Sequence, residues 1–385
     1  MGIPMTSHQL KNVIDVFCGA GGLSKGFSEV GYNIVTGVDN NKHSLDTYEN
    51  NHDCKPVLED VENPNIIQII RDSIIDNGYS PNEIDLIIGG PPCRGFSMAN
   101  VQTDSQTHPL NSLPSQFLEI VEEFDPEAVL IENVPRLLTI SDGMFKESIL
   151  GRLHDLGYNV EYDVLKAEQF GVPQKRRRVF FLGRKSVEPE LPDPSDYTPN
   201  VEIPVSVDRA ISDLPELPTG GGGTIEMDYS ADGSNISEYA RAMRQDEKEG
   251  LLINHRTTKN QEKTYKRFEH IPQGGNWKDI PKELMNNYSN RKRTHDHIYQ
   301  RLSEDEPANT VANFRKQMIV HPTQDRLLSV REAARLQSFP DDYHFKGDSF
   351  NARQQMVGDA VPVKLAYAIG KKLSRQHTSN EATVS

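Results

Sequence analysis

Cysteine is scarce in this chain of 385 residues: Cys18, Cys54 and Cys93 are the only three. Three thiols at irregular spacing exclude a disulfide framework and a tetrahedral zinc site, and they fit an intracellular, reducing location. Long apolar runs are missing too. The longest extend over about five residues, against the roughly 20 that span a bilayer. Residues 1–12 lack the apolar core of a signal peptide. A surplus of positive charge is also absent. The formal net charge of −14 argues against non-specific nucleic-acid binding by the whole surface. What is present, 36% hydrophobic and 25% charged residues, suits a packed soluble protein with one large domain and a smaller one.

Strand-like and helix-like patterns alternate through the first half. Val13–Phe17, Tyr32–Val38, Ile84–Ile88, Ala128–Ile131 and Val179–Leu182 read as strands. Helical patterns fall at about 23–30, 62–77, 115–124 and 144–156. This alternation implies a doubly wound α/β domain, a parallel Rossmann-like sheet covered on both faces. The pattern then breaks. Seven prolines lie between Pro189 and Pro218, followed by Gly220–Gly223, which reads as a linker into a different module. Residues 254–320 carry 13 Lys/Arg against 8 Asp/Glu, so this segment is basic within an acidic whole. Helical pattern returns at Val330–Gln337 and at Val363–Leu373, and the polar last dozen residues are expected to be disordered.

Cys93 stands in Gly89-Gly90-Pro91-Pro92-Cys93-Arg94-Gly95-Phe96-Ser97, directly after the apolar run Leu86-Ile87-Ile88. The prolines stiffen the backbone and the glycines let it turn. A cysteine in a loop is ordinarily inert. Here a second apolar run, Ala128–Ile131, ends in Glu132-Asn133-Val134. In open α/β sheets ligands bind beyond the carboxyl ends of the strands, so a thiol and a carboxyl group are delivered to one crevice. A third loop, Phe17-Cys18-Gly19-Ala20-Gly21-Gly22, opens the first helix, and Asp39 follows 20 residues after Gly19. That is the place of an acid that takes the ribose hydroxyls of a nucleoside. Asp60 follows the short apolar pair Val57-Leu58 and suits an adenine amino group. Each acid alone reads equally as a cap or a turn. Together with the glycine loop they indicate a nucleoside-type cofactor.

The set resembles the DNA (cytosine-5) methyltransferases. Phe17–Gly22, Pro91–Ser97, Glu132–Val134, Gln174-Lys175-Arg176-Arg177-Arg178, Arg331–Asp341 and Gly358–Pro362 occur in the order of that family's motifs. The resemblance implies a catalytic domain over 11–186 and 325–373, a linker and target-recognition domain over 187–324, and tails at 1–10 and 374–385. It implies S-adenosylmethionine as cofactor. Phe17 would stack on the adenine, Asp39 would hold the ribose and Asp60 the adenine amino group. Gly19, Gly21, Gly22, Leu23, Asn40, Val61, Pro92 and Leu113 would line the pocket, with Asp359, Ala360 and Val361. By similarity Cys93 is the nucleophile, and Glu132 contacts the ring nitrogen and amine of cytosine. Arg178 would hold the carbonyl, and Arg176 the loop or a phosphate.

The residue types suit that chemistry. Cytosine C5 is a poor nucleophile until a thiolate adds to C6. A protonated Glu132 and a cationic Arg178 would relieve the negative charge that enters the ring. The base must first be flipped out of the duplex, at about a few kcal/mol. Arg94 stands where the family usually has Gln, and Asp359 where it usually has Asn. The expected protein is a monomeric, cytoplasmic bacterial enzyme on double-stranded DNA, without membrane contact, serving a restriction–modification system. Three other readings compete: the same chemistry on transfer RNA, a non-catalytic DNA-binding relative, and a nicotinamide-dependent dehydrogenase. The basic segment counts against the first, the complete Cys93, Glu132 and Arg178 set against the second, and the glycine spacing against the third.

Overall fold

The computed structural model describes residues 11–92, 113–195, 197, 201–218, 226–229, 236–244, 251–286 and 298–381. The chain divides into two compact units. One comprises Met1–Leu165, Arg177–Tyr197 and Ala366–Ser385, and the other Lys166–Arg176 and Thr198–Leu365. Among the described residues no helix is long and apolar enough to cross a membrane.

The first unit begins with β1 (Asn12–Val16), α1 (Gly22–Val30), β2 (Asn33–Asp39), α2 (Lys42–Asn51), β3 (Val57–Leu58) and α3 (Ile66–Asp76). It continues through β4 (Leu86–Gly89), α4 (Leu113–Phe124), β5 (Ala128–Asn133), α5 (Met144–Asp155) and β6 (Asn159–Lys166). The short β7 (Gln174–Lys175) belongs to the other unit and precedes β8 (Arg177–Arg184) in the chain. Seven strands form one sheet in the order β3-β2-β1-β4-β5-β8-β6. β3, β2, β1, β4 and β5 run parallel, while β8 is antiparallel to β5. The inner strands are nearly continuous apolar runs because helices cover both faces. Val13, Ile14, Val16, Leu86, Ile87, Ile88 and 128–130 have no exposed surface.

Two elements of this unit escape the sequence pattern. α2 is polar, K-H-S-L-D-T-Y-E-N-N, and starts on an Asn41 side chain that accepts from the His43 and Ser44 amides. β6 is a mostly exposed edge strand without an apolar run.

The second unit is built of shorter pieces. They are α6 (Val207–Ile211), β9 (Glu226–Asp228), α7 (Glu238–Arg244), β10 (Leu251–Ile253), α8 (Glu262–Phe268), β11 (Ala308–Asn309), α9 (Phe314–Gln317), α10 (Val330–Leu336) and α11 (Phe350–Asp359). β9 pairs antiparallel with β10, and β11 parallel with β7. One apolar cluster gathers Phe268, Ile271, Trp277, Ile280, Met285, Tyr299, Val320 and Leu327. α10 supplies a second centre that is ionic. Its Arg335 meets the carboxylates of Asp213 and Asp341, and its Glu332 takes two bonds from Arg326 at 2.8 and 2.7 Å. Arg331 donates to the carbonyls of Ile253, Pro340 and Tyr343.

These bonds tie Arg326–Tyr343 to Asp213 and Ile253 within the second unit. The last helix, α12 (Val363–Glu381), runs through 374–381, so most of the expected C-terminal tail is helical.

Candidate active site

The carboxyl ends of the parallel strands define one edge of the sheet. After β1, Phe17 takes the left-handed backbone (φ 63°), which is uncommon for an aromatic residue. Its amide and that of Cys18 both donate to the Val38 carbonyl, at 2.8 and 3.1 Å. Gly19 (φ 53°) and Gly21 (φ 85°) continue the turn, and Gly22 opens α1 with Leu23 buried behind it. The Gly19 amide donates to Asp39 Oδ2 at 2.9 Å, and the Asn41 amide donates to Oδ1 at 2.8 Å. The 20-residue spacing is thus a direct contact between the glycine loop and the end of β2. Asp60 lies just past β3. It accepts from the Glu62 amide at 3.0 Å and from the Asn40 side chain at 3.1 Å. These two bonds, the backbone one first, hold its carboxyl below the usual carboxylate range. Val61 beside it is buried.

Gly90-Pro91-Pro92 follows β4, which Gly89 ends. Cys93 and Arg94 lie outside the described residues, and Leu113 opens α4, packed against the main apolar core. Glu132 is the fifth residue of β5. The antiparallel register pairs Glu132 with Phe180. Side chains alternate along a strand, so Arg178 points to the same face as Glu132 and is its diagonal neighbour. Arg178 Nε lies 2.7 Å from Glu132 Oε1, with both side chains largely shielded. A Cβ on Gly90 would lie 2.9 Å from Glu132 Oε2, so the glycine leaves room for the carboxyl group. Asn133 Nδ2 donates to the Pro91 carbonyl at 2.9 Å and ties the two strand-end loops together. Asn133 has no role among the residues expected from the sequence. Its signal is an amide directly after the strand-end acid.

Arg176 and Gly358–Val361 belong to the second unit. Arg176 is buried, and its guanidinium donates to the carbonyls of Val311 at 3.0 Å and Gly358 at 3.1 Å. A Cβ on Gly358 would sit 1.9 Å from the Ala312 carbonyl oxygen, so only glycine fits there. Asp359 ends α11, and its carboxylate accepts from Gln355 Nε2 at 2.6 and 2.7 Å. Ala360 and Val361 are buried beside it.

The sequence profile of C-5 cytosine-specific DNA methylases matches residues 11–375. The type II methyltransferase M1.HphI of Haemophilus parahaemolyticus is 32% identical over 368 residues, covering 95% of this chain and 87% of its own. M.DdeI of Desulfomicrobium norvegicum is 33% identical, with 94% of this chain and 88% of its own covered. Among solved structures, an E. coli prophage-encoded protein described as a DNA modification methyltransferase superposes with a TM-score of 0.73 at 25% identity. That match covers 96% of this chain and 99% of the other. The S. pombe Dnmt2 methyltransferase shares the fold, with a TM-score of 0.55 at 16% identity and 95% and 99% of the two chains covered.

Proposed function

This chain belongs to the C-5 cytosine-specific DNA methylase family, and from that premise we propose that it methylates carbon 5 of cytosine within a specific duplex DNA sequence. The methyl donor is S-adenosylmethionine, and the biological setting is the modification half of a restriction–modification system, as the type II relatives suggest. The observation that carries the reading is the Glu132–Arg178 pair at the strand edge that also holds the Gly19–Asp39 contact.

The residues present fit the cofactor. A carboxylate has about four acceptor positions, so Asp39 can serve the Gly19 and Asn41 amides and still take ribose hydroxyls. Asp60 stays ionised and half-exposed, as an acceptor for an adenine amino group must. Phe17 offers a ring for the adenine face. The bound cofactor supplies an electrophilic methyl group on a sulfonium sulfur.

The protein's part is to make C5 able to take that methyl group. The Cys93 thiolate forms a bond to C6 of the flipped cytosine, and the electron pair moves toward N3. Glu132, protonated, gives its hydrogen bond to N3, while Arg178 holds the carbonyl oxygen. Loss of the C5 proton to a base then expels the thiolate and restores the ring. Arg176 keeps the loop in place through the carbonyls that it binds. Residues 187–324 read the DNA sequence in this proposal.

The experiment is methyl transfer from labelled S-adenosylmethionine to duplex DNA and, in parallel, to transfer RNA. Bisulfite sequencing then locates the modified cytosine. Transfer confined to duplex DNA, lost in Cys93→Ser and trapped as a covalent adduct by 5-fluorocytosine DNA, is the expected result. Transfer confined to RNA, or near-normal turnover in Cys93→Ser, would refute it.

A further inference from the structure

Behind the glycine loop runs a chain of side chains to which the motif reading gives no role. It begins at Asp15 in β1, which has no exposed surface. Ser24, in the first turn of α1, donates its hydroxyl to Asp15 Oδ2 at 2.6 Å. The Tyr48 hydroxyl lies 2.7 Å from Ser24 Oγ and donates to it whenever Ser24 gives its single proton to Asp15. The Tyr48 ring lies over Gly37 of β2, where a Cβ would come within 2.6 Å of Tyr48 Cζ. The ring also packs on His52, with centroids 4.3 Å apart. The His52 ring hydrogen-bonds the Gly21 backbone, which closes the chain on the loop itself. Burial, followed by the nearby Lys25 charge, lowers His52 to about 4, so its ring is neutral with one N–H to give.

The loop is therefore held from two sides. Asp39 takes the Gly19 amide at one end. The Asp15–Ser24–Tyr48–His52 chain fixes the other end at Gly21 and the start of α1. The loop so held contains three left-handed residues, Phe17, Gly19 and Gly21. Asp15 Oδ1 is buried and accepts no hydrogen bond from the protein. A buried carboxyl group with an unfilled oxygen is costly for stability alone.

We propose that Asp15, Ser24, Tyr48 and His52 are positioning residues that hold the 17–22 loop in its cofactor-receiving conformation. The proposal rests on the reading of this loop as the S-adenosylmethionine site. A loop that populates the receptive conformation only part of the time binds with an affinity reduced by that fraction. Loss of a link should therefore raise the Kd and KM for the cofactor and leave kcat at saturating cofactor near its parent value.

Titration calorimetry with S-adenosylmethionine, thermal unfolding and steady-state methyl transfer on the full chain test this. Tyr48→Phe and His52→Leu should each weaken cofactor binding by roughly five- to tenfold, the size of one buried hydrogen bond. His52→Gln keeps a donor for the Gly21 carbonyl and should recover part of the loss. Thr36→Val is the control. Thr36 is buried in β2 and bonded to the Lys55 carbonyl and Ser73 Oγ, away from the loop. It should lower the Tm and leave the cofactor Kd unchanged. Tyr48→Phe and His52→Leu binding within twofold of the parent would overturn the proposal. So would equal weakening by Thr36→Val, or a fall in kcat with KM unmoved. A parent chain that takes up no S-adenosylmethionine would overturn the cofactor reading as well, whereas parent-like variants overturn the brace alone.

Discussion

A single hydrogen at Gly90 makes room for the Glu132 carboxyl group, since a methyl there would lie 2.9 Å from Oε2. Gly90→Ala is expected to displace that carboxyl and lower the single-turnover rate by roughly tenfold, about 1.4 kcal/mol of transition-state stabilisation. The cofactor Kd should not move. Glu132→Gln keeps the size but abolishes the acid, and a rate loss on the order of 10²-fold is expected, again without a change in Kd. Asp39→Ala should do the reverse, raising the Kd because the ribose and the Gly19 amide lose a shared acceptor. Rapid-quench kinetics beside calorimetry separates these outcomes. Weakened cofactor binding in Glu132→Gln at an unchanged rate would mean that the strand-end roles are exchanged. At this scale Glu132 and Asp39 are legible in the sequence, because each is an acid closing an apolar run. The pairing of Glu132 with Arg178 is not, since it depends on an antiparallel register between residues 46 apart.

The elements differ in how plainly their sequences declare them. β1, β4 and β5 are apolar because both faces are covered, and such runs are visible without any partner. α2 and β6 are not, the first being a polar helix set by its Asn41 cap and the second an edge strand open to water. α10 has a helical pattern, yet nothing in it announces that Arg331, Glu332 and Arg335 are buried. Their partners lie elsewhere, at Asp213, Asp341, Arg326 and three carbonyls. Removing one partner of a buried ion pair strands the other, at roughly 3–5 kcal/mol. Arg335→Ala is therefore expected to lower the urea midpoint of the second unit by that amount of stability. Trp277, the single tryptophan, sits in that unit's apolar core and reports on it directly. A Trp277 fluorescence transition unchanged from the parent would show that the ionic centre contributes nothing.

For the whole molecule, pH and charge set the terms. Burial lowers His52 in the first unit and His321 in the second to about 4. His321 Nδ1 accepts from the Gln324 amide at 3.2 Å, which requires the neutral ring. The unfolded chain protonates these rings near pH 6.5, so the folded state binds fewer protons between about pH 6.5 and 4. Their stabilisation is complete above that window and is lost as pH falls through it. Asp15, raised to about 7 by burial, acts in the opposite sense, its contribution declining as pH rises toward 7. His255 is likewise lowered by burial, and three histidines against one carboxyl leave a net loss of stability on acidification. The Trp277 urea midpoint should fall from pH 6.5 to 4.5, and His321→Asn should flatten that fall. Charge bears on the substrate. A chain of net charge −14 must approach a polyanionic duplex through a basic surface, and residues 254–320 are the stretch with that balance. Each phosphate neutralised adds about −0.9 to the slope of log K against log salt. Arg291, Lys292 and Arg293, three consecutive cations of that stretch, lie outside the described residues. Replacing all three by Gln should weaken binding to every duplex and flatten the slope by about 2–3 units. An unchanged slope in fluorescence anisotropy would place the three on a solvated face away from the DNA.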